Sequence, residues 1–361
     1  MTSTATTQAS HGPLSLIAEV THRCPLHCLY CSNPLELKRH EEELSAADWK
    51  RVCAQAAELG VLHLHLTGGE PLARRDLPEL IRAGRDAGLY VNMITSGIGL
   101  GQERMAALID AGLEHVQLSF QDLEEAAANH IAGTRAHAHK LALLPILKKF
   151  PVALTINLVV HRLNLDRLDA FIAMAEQFEP DRLEIAHVQY YGWALKNRGL
   201  LMPTEEQVQQ SLGVIENARQ RLKGRIHIEA VVPDYYGRFP KACMGGWGRQ
   251  VMLIDPTGQA LPCHAAAVIP GMRFDNVRDR DLSWIWRHSE AFERFRGDAW
   301  MPETCRACSR KDQDFSGCRC QALLLTGNAA AMDPVCTYSP DHGLLETLRL
   351  PAADAFPMWR G

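Results

Sequence analysis

The sequence has no excess of positive charge: 38 Lys and Arg stand against 42 Asp and Glu, a formal net charge of -4. Without a basic footprint nucleic acid is not an obvious partner, whereas an acidic or neutral substrate is compatible. Also missing is any apolar run as long as a membrane span. The opening residues, MTSTATTQASHGP, lack the basic and apolar stretches of a secretory leader, so the expectation is a cytoplasmic chain with no membrane partner. A reducing compartment then disfavours disulfides as the use of the 11 cysteines, and their odd number and tight clustering favour metal. What remains, 361 residues of which 47% are hydrophobic and 22% charged, is an ordinary globular composition with length for one large α/β domain or two units.

From residue 14 to 232 short β-rich runs alternate with amphipathic helical stretches. Strands are predicted at 14–20, 61–67, 90–96, 115–120, 152–160 and 182–188, with a seventh candidate at 225–232. Most read as near-continuous apolar runs, the pattern of parallel strands covered on both faces. Between them SAADWKRVCAQAAELG carries a helix start at Ser45 and Asp48 and a stop at Gly60. Repeated βα units of this size predict a barrel of about six units, open on one side. After Pro233 Gly, Pro and Cys become frequent, so 240–340 reads as a separate, loop-rich unit held by something covalent or metallic. The last residues, with Pro351 and Pro357, read as a weakly tethered tail.

The first strand runs into RCPLHCLYC, where Cys24, Cys28 and Cys31 are spaced C-x3-C-x2-C. In a barrel this loop is on the active-site face. Three thiolates on one short loop suit three corners of a cubane iron–sulfur cluster and leave one iron open; a zinc site is the alternative, with His22 or His27 as its fourth ligand. Strand two ends in TGGEP, where Gly68 and Gly69 permit close backbone approach, Glu70 adds a carboxylate and Pro71 follows. A tight strand-to-helix turn is the plainer reading of that stretch. His63 and His65 share one strand face and read as packing residues, and Cys53 as a small buried apolar side chain.

Together the cysteine loop and TGGEP resemble the radical SAM superfamily. The resemblance implies that the open iron binds S-adenosylmethionine (SAM), that the GGEP stretch holds its methionyl amino group, and that Ser96, Ser119 and Asn157 contact its carboxylate or ribose. Each of those three side chains has an alternative use, satisfying a local backbone group.

The remaining cysteines give C-x14-G-x4-C over Cys243, Gly258 and Cys263, then Cys305-x2-Cys308, Cys318, Cys320 and Cys336. This resembles the SPASM extension of radical SAM enzymes. The extension's central third position falls here on Asp314, an acid where a thiol is usual, and Cys320 is an added thiol. The resemblance implies two auxiliary iron–sulfur clusters, [4Fe–4S] or [2Fe–2S]. One would use Cys243, Cys263, Cys318 and Cys320; the other Cys305, Cys308, Cys336 and Asp314. Asp314 as a solvated loop residue beside an open iron is the alternative. The implied division is a flexible 1–13, a radical SAM core at 14–232 forming a partial (β/α)6 TIM-like barrel, a SPASM unit at 233–345 and a tail at 346–361.

YYGWALKNRGLLMPT and FPKACMGGWGRQ narrow the resemblance to the PqqA peptide cyclase family of pyrroloquinoline quinone biosynthesis. It implies an oxidoreductase in which SAM is cleaved to a 5′-deoxyadenosyl radical that takes hydrogen from a glutamate γ-carbon of the precursor peptide PqqA. The carbon radical joins a tyrosine ring, and loss of a proton and an electron restores the aromatic ring. Implied partners are PqqA, the peptide chaperone PqqD and an electron donor such as flavodoxin. Tyr190 and Tyr191 are candidates for the substrate channel, or aromatics at a domain junction. The alternatives are another SPASM peptide modifier, a thioether former or a sulfatase-maturing dehydrogenase, and outside enzymes a metal-binding electron carrier.

Overall fold

The structure is a computed structural model that describes residues 11–231, 234–350 and 356–360. The expected flexible N-terminus up to residue 10, the 232/233 boundary and Pro351 lie outside the described residues. Strands β1 (Ser15–Thr21), β2 (His63–Gly68), β3 (Tyr90–Thr95), β4 (His115–Phe120), β5 (Ala153–Val160), β6 (Arg182–His187) and β7 (His227–Val231) pair in chain order, each parallel to the next. They are connected by α1 (Ala46–Glu58), α2 (Leu77–Asp86), α3 (Gln102–Ala111), α4 (Glu125–Ala132), α5 (His137–Leu147), α6 (Leu168–Phe178), α7 (Gly192–Lys196), α8 (Arg198–Leu201) and α9 (Glu205–Arg221). The result is a partial barrel: β7 does not pair with β1, and the sheet stays open. No helix among the described residues is long and apolar enough to cross a membrane.

Local chemistry sets these elements. At the start of α1 the Ser45 hydroxyl accepts from Asp48 N (3.2 Å) and the Asp48 carboxylate accepts from Ser45 N (3.1 Å), which satisfies two otherwise unpaired backbone donors. Cys53 on its inner face is buried in the main core, and burial pushes its thiol up to about 12. On α2 the buried residues Leu77, Leu80, Ile81 and Gly84 recur at helical spacing and lie against the sheet. Gly84 is required there, because a Cβ would sit 2.6 Å from Leu64 Cδ2.

The strands are not apolar on both faces. Leu64 and Leu66 of β2, Val91 and Met93 of β3, and Val116, Leu118 and Phe120 of β4 belong to the main core with the helices. Intervening positions carry His65, Asn92, His115, Gln117, Ser119, Thr155 and Asn157, which hydrogen-bond to one another or line a cavity. His65 Nδ1 meets Asn92 Nδ2 at 3.0 Å and His115 Nε2 meets Thr155 Oγ1 at 2.8 Å. The period-two alternation follows from a barrel whose inner face surrounds polar space. His63 and His65 stack with ring centroids 6.1 Å apart; His65 is half-buried and burial lowers it to about 4, as suits a packing residue, whereas His63 is exposed at the start of the strand.

The region expected to stand apart from the barrel is built onto its sheet. Strand β8 (Val251–Ile254) pairs parallel with β1, Ser15 opposite Val251 and Ala18 opposite Ile254, and β9 (Ala260–Leu261) returns antiparallel to β8. Helices α10 (Leu282–His288) and α11 (Glu290–Glu293) add Trp286 and Phe292 to the main core. Four short helices follow: α12 (Glu303–Arg306), α13 (Lys311–Asp314), α14 (Arg319–Thr326) and α15 (Leu344–Arg349). An edge strand with unpaired backbone groups needs a partner, and β8 supplies it to β1. The reading of the last residues as a weakly tethered tail is also corrected. Met358 exchanges two hydrogen bonds with Asn197 and Arg360 is buried, so 356–360 is anchored to the barrel.

Candidate active site

At the C-terminal ends of the strands lies a cavity of about 310 Å³, within the range of small-ligand sites. Cys24, Cys28 and Cys31 open onto it together, with Gly68, Gly69, Ser96, Ser119, Asn157 and Tyr191 on its walls. Burial raises the bare thiols, Cys24 to about 11 and Cys28 to about 12, so loading with a cation must displace their protons. Beside them Asn33 Nδ2 is buried without a partner, a donor left open toward the same cavity.

The cysteine loop is fixed by the GGE turn. Gly69 N donates to Thr21 O (2.6 Å) and Glu70 N to Arg23 O (2.8 Å). A Cβ on Gly68, whose φ is +126°, would sit 2.2 Å from Thr21 O, and one on Gly69 would sit 2.3 Å from Arg23 O. Both glycines thus answer to the approach of the cysteine loop's own backbone. Glu70 and Pro71 stand behind the wall, not on it. The buried Glu70 carboxylate accepts from Leu72 N (3.1 Å), Thr95 Oγ1 (2.6 Å), Ser96 N (2.7 Å) and Ser96 Oγ (2.5 Å), tying β2 to β3.

The two tyrosines separate. Tyr191 lines the cavity and packs on the small core containing Cys263 and Cys320, so it is a wall between the two. Tyr190 does not reach the cavity: it stacks on Tyr235 with centroids 5.2 Å apart, and its place is the core.

Beyond Tyr191 the thiols of Cys243, Cys263, Cys320 and Cys318 form a closed ring of neighbouring pairs: 243 with 263, 263 with 320, 320 with 318, 318 with 243. They cannot all ionise at such range. S–H donors from Cys243 and Cys320 hold Cys263 well below the usual thiol range, while neighbouring thiols push Cys243, Cys318 and Cys320 up. A second, smaller cavity is lined by Cys305, Cys308, Asp314 and Cys336. There Asp314 is only 8% exposed and accepts from Ser316 N (3.1 Å) and Arg310 Nε (3.3 Å), which contradicts a solvated loop residue. Among the described residues no three Cys, His, Asp or Glu side chains close on one point as a single ion requires. The sets around Cys24 and around Cys305 instead line cavities, an arrangement that fits multinuclear sulfur-bridged iron.

Several residues at the site escaped the sequence reading. Gln117 on β4 and Gln121 just past its end flank Ser119 along the cavity, a signal present in the alternation Gln-x-Ser-x-Gln. Lys140 on α5 is fully buried, donates to Ser119 O (2.8 Å) and Gln121 Oε1 (2.6 Å), and is lowered to about 8 by burial. Arg360 also lines the cavity, and nothing in its local sequence announces this.

The radical SAM superfamily profile matches residues 18–175, and an iron–sulfur cluster-binding (SPASM) domain matches 243–309. A PqqA peptide cyclase of Methylobacterium nodulans is 52% identical over 347 residues, 96% of this chain and 92% of that one. One of Methylocella silvestris is 54% identical over 332 residues, 92% and 89% of the respective chains. SuiB of Streptococcus suis, solved with S-adenosylmethionine, superposes with a TM-score of 0.76 at 18% identity over 91% of this chain and 78% of that one, a likeness of fold. With half of its residues shared over nearly its whole length, the chain belongs to the PqqA peptide cyclase family of radical SAM enzymes.

Proposed function

We propose that this enzyme forms a carbon–carbon bond between a glutamate γ-carbon and a tyrosine ring of PqqA, an early step of pyrroloquinoline quinone biosynthesis. The observation that carries the reading is the convergence of Cys24, Cys28 and Cys31 on one cavity whose far wall, Tyr191, backs onto the four-thiol ring. Cys24, Cys28 and Cys31 would hold a [4Fe–4S] cluster, and that group together with SAM would supply the one-electron chemistry for taking a hydrogen atom from the peptide.

The chain's own residues position and protect. Gly68 and Gly69 present backbone to the methionyl end of SAM, and Ser96, Ser119 and Asn157 offer polar contacts along the cavity. Ser96 is held for this by Glu70, and Ser119 by Lys140 through its carbonyl. Ring closure leaves an unpaired electron and an extra hydrogen on the tyrosine ring, so a proton and an electron must both leave; Tyr191 separates the cavity from the thiols that would hold the electron acceptor. Cys243, Cys263, Cys318 and Cys320 hold one auxiliary cluster, and Cys305, Cys308, Cys336 and Asp314 the other. A carboxylate donates less electron density than a thiolate, so Asp314 tunes the second cluster. PqqD presents the peptide, a flavodoxin-type donor supplies electrons, and the setting is the cytoplasm.

The test is mass spectrometry of PqqA after anaerobic incubation with reconstituted enzyme, SAM, reductant and PqqD. The expected product has lost two hydrogens, localised to a Glu–Tyr crosslink, with 5′-deoxyadenosine formed. Deoxyadenosine with an unchanged peptide would retain the radical chemistry and overturn the substrate.

A further inference from the structure

Arg360 lines the cavity, and one amide anchors the segment 356–360 that carries it. Asn197 Nδ2 donates to Met358 O (2.7 Å) while Asn197 Oδ1 accepts from Met358 N (2.8 Å). The same Nδ2 donates to Leu29 O (2.8 Å), inside the cysteine loop. Trp359 donates its indole N–H to His130 O (3.0 Å) and sets its ring against His130, centroids 5.5 Å apart. Gly133 makes room: a Cβ there would be 2.9 Å from Trp359 Cδ1. His27, midway between Cys24 and Cys31, donates Nδ1–H to Arg360 O (2.5 Å). The segment is therefore stitched to the cysteine loop at two places, Leu29 and His27.

The Arg360 side chain turns inward, only 4% of the residue remaining exposed, and faces the cavity that Cys24, Cys28 and Cys31 line. Its guanidinium donates to His22 O, next to the GGE turn, and its Nε is buried without a partner. Among the described residues no carboxylate pairs with it. A buried cation is costly unless an anion offsets it, and the groups that become anionic here are the three thiols when they take up metal.

We propose that Arg360 is a positioning residue for the N-terminal iron–sulfur site, holding the cysteine loop closed and acting as its fixed counter-charge. The inference rests on the reading that Cys24, Cys28 and Cys31 hold a cluster. Each added electron makes that cluster more negative, so a buried cation beside it favours the reduced state. Nearby charge and solvent exposure are among the levers that set cluster potential.

The experiment is an EPR-monitored redox titration of the anaerobically reconstituted full chain, wild type against Arg360→Gln and Arg360→Lys, with iron counted. The N-terminal signal is the one that changes when SAM is added. In Arg360→Gln its reduced-to-oxidised ratio at fixed potential is expected to fall about tenfold, 59 mV for one electron. Arg360→Lys is expected to recover most of this, and the auxiliary signals stay in place. Loss of iron from the N-terminal site alone in Arg360→Gln, restored in Arg360→Lys, also supports the proposal. A wild-type potential and iron content in Arg360→Gln overturns it, as does a lysine variant as impaired as the glutamine one. A wild-type chain with no SAM-responsive signal overturns the underlying reading instead.

Discussion

Glu70 shows what a single residue in a motif does once the fold is formed. Read in the sequence it adds a carboxylate for a ligand; folded, its two oxygens take four donors, from Leu72 in the turn after β2 and from Thr95 and Ser96 at the end of β3. Glu70→Gln places an NH2 against donors, which leaves buried groups unpaired at a cost of about 1–3 kcal/mol each. The expected result is a lowered chemical-denaturation midpoint together with weaker SAM binding, because Ser96 is released. Weaker SAM binding at an unchanged midpoint would return the carboxylate to the ligand. At Asp314 substitution by Cys is expected to shift the EPR signal of the second auxiliary cluster; an unchanged signal removes it from the ligand set. The cysteines that share a cavity were legible as a group because one residue type at short, fixed spacing stands out in a sequence. Lys140 and Arg360 were not, because tertiary packing alone brings Arg360 to the cavity and Lys140 behind its wall.

Among elements, the β1 and β2 ends form a clamp in which two glycines accept the backbone of the cysteine loop. Gly69→Ala puts a methyl 2.3 Å from Arg23 O and 2.6 Å from His22 O, both backbone atoms that cannot swing aside. The expected outcome is loss of iron from the N-terminal site with auxiliary iron retained, read by iron counting and EPR. Strand positions were legible in the apolar runs, and β4 falls on the predicted 115–120. Their inner face was not, since alternating His, Asn, Gln and Ser were absorbed into runs judged by their apolar neighbours. Polar residues at every second position of a parallel strand mark a barrel with an occupied interior.

For the whole molecule, acid stability follows from buried histidines. Burial lowers His161 to about 3 and His187 to about 4, both below the unfolded value near 6.5. The unfolded chain binds these protons first, so stability is full above about pH 6.5 and is lost as pH falls toward the folded values. Unfolding free energies measured from pH 7 to pH 4 are expected to decline, and His161→Phe to flatten the decline; an unflattened curve would assign it to other groups. The barrel's dependence on the C-terminal unit was hidden in the sequence, because β8 is four residues long and its partner lies at the other end of the chain.

That pairing orders events in time as the ribosome makes the chain. Strand β1 appears first and finds β2 within one βα unit, but its other edge waits for Val251. At about 5–20 residues per second the wait is roughly 10–50 s, during which a half-built sheet presents a bare edge to other nascent chains. Iron for the first three cysteines can be delivered during that interval. The four-thiol ring can be filled only afterwards, since Cys263, Cys318 and Cys320 are all translated after β8.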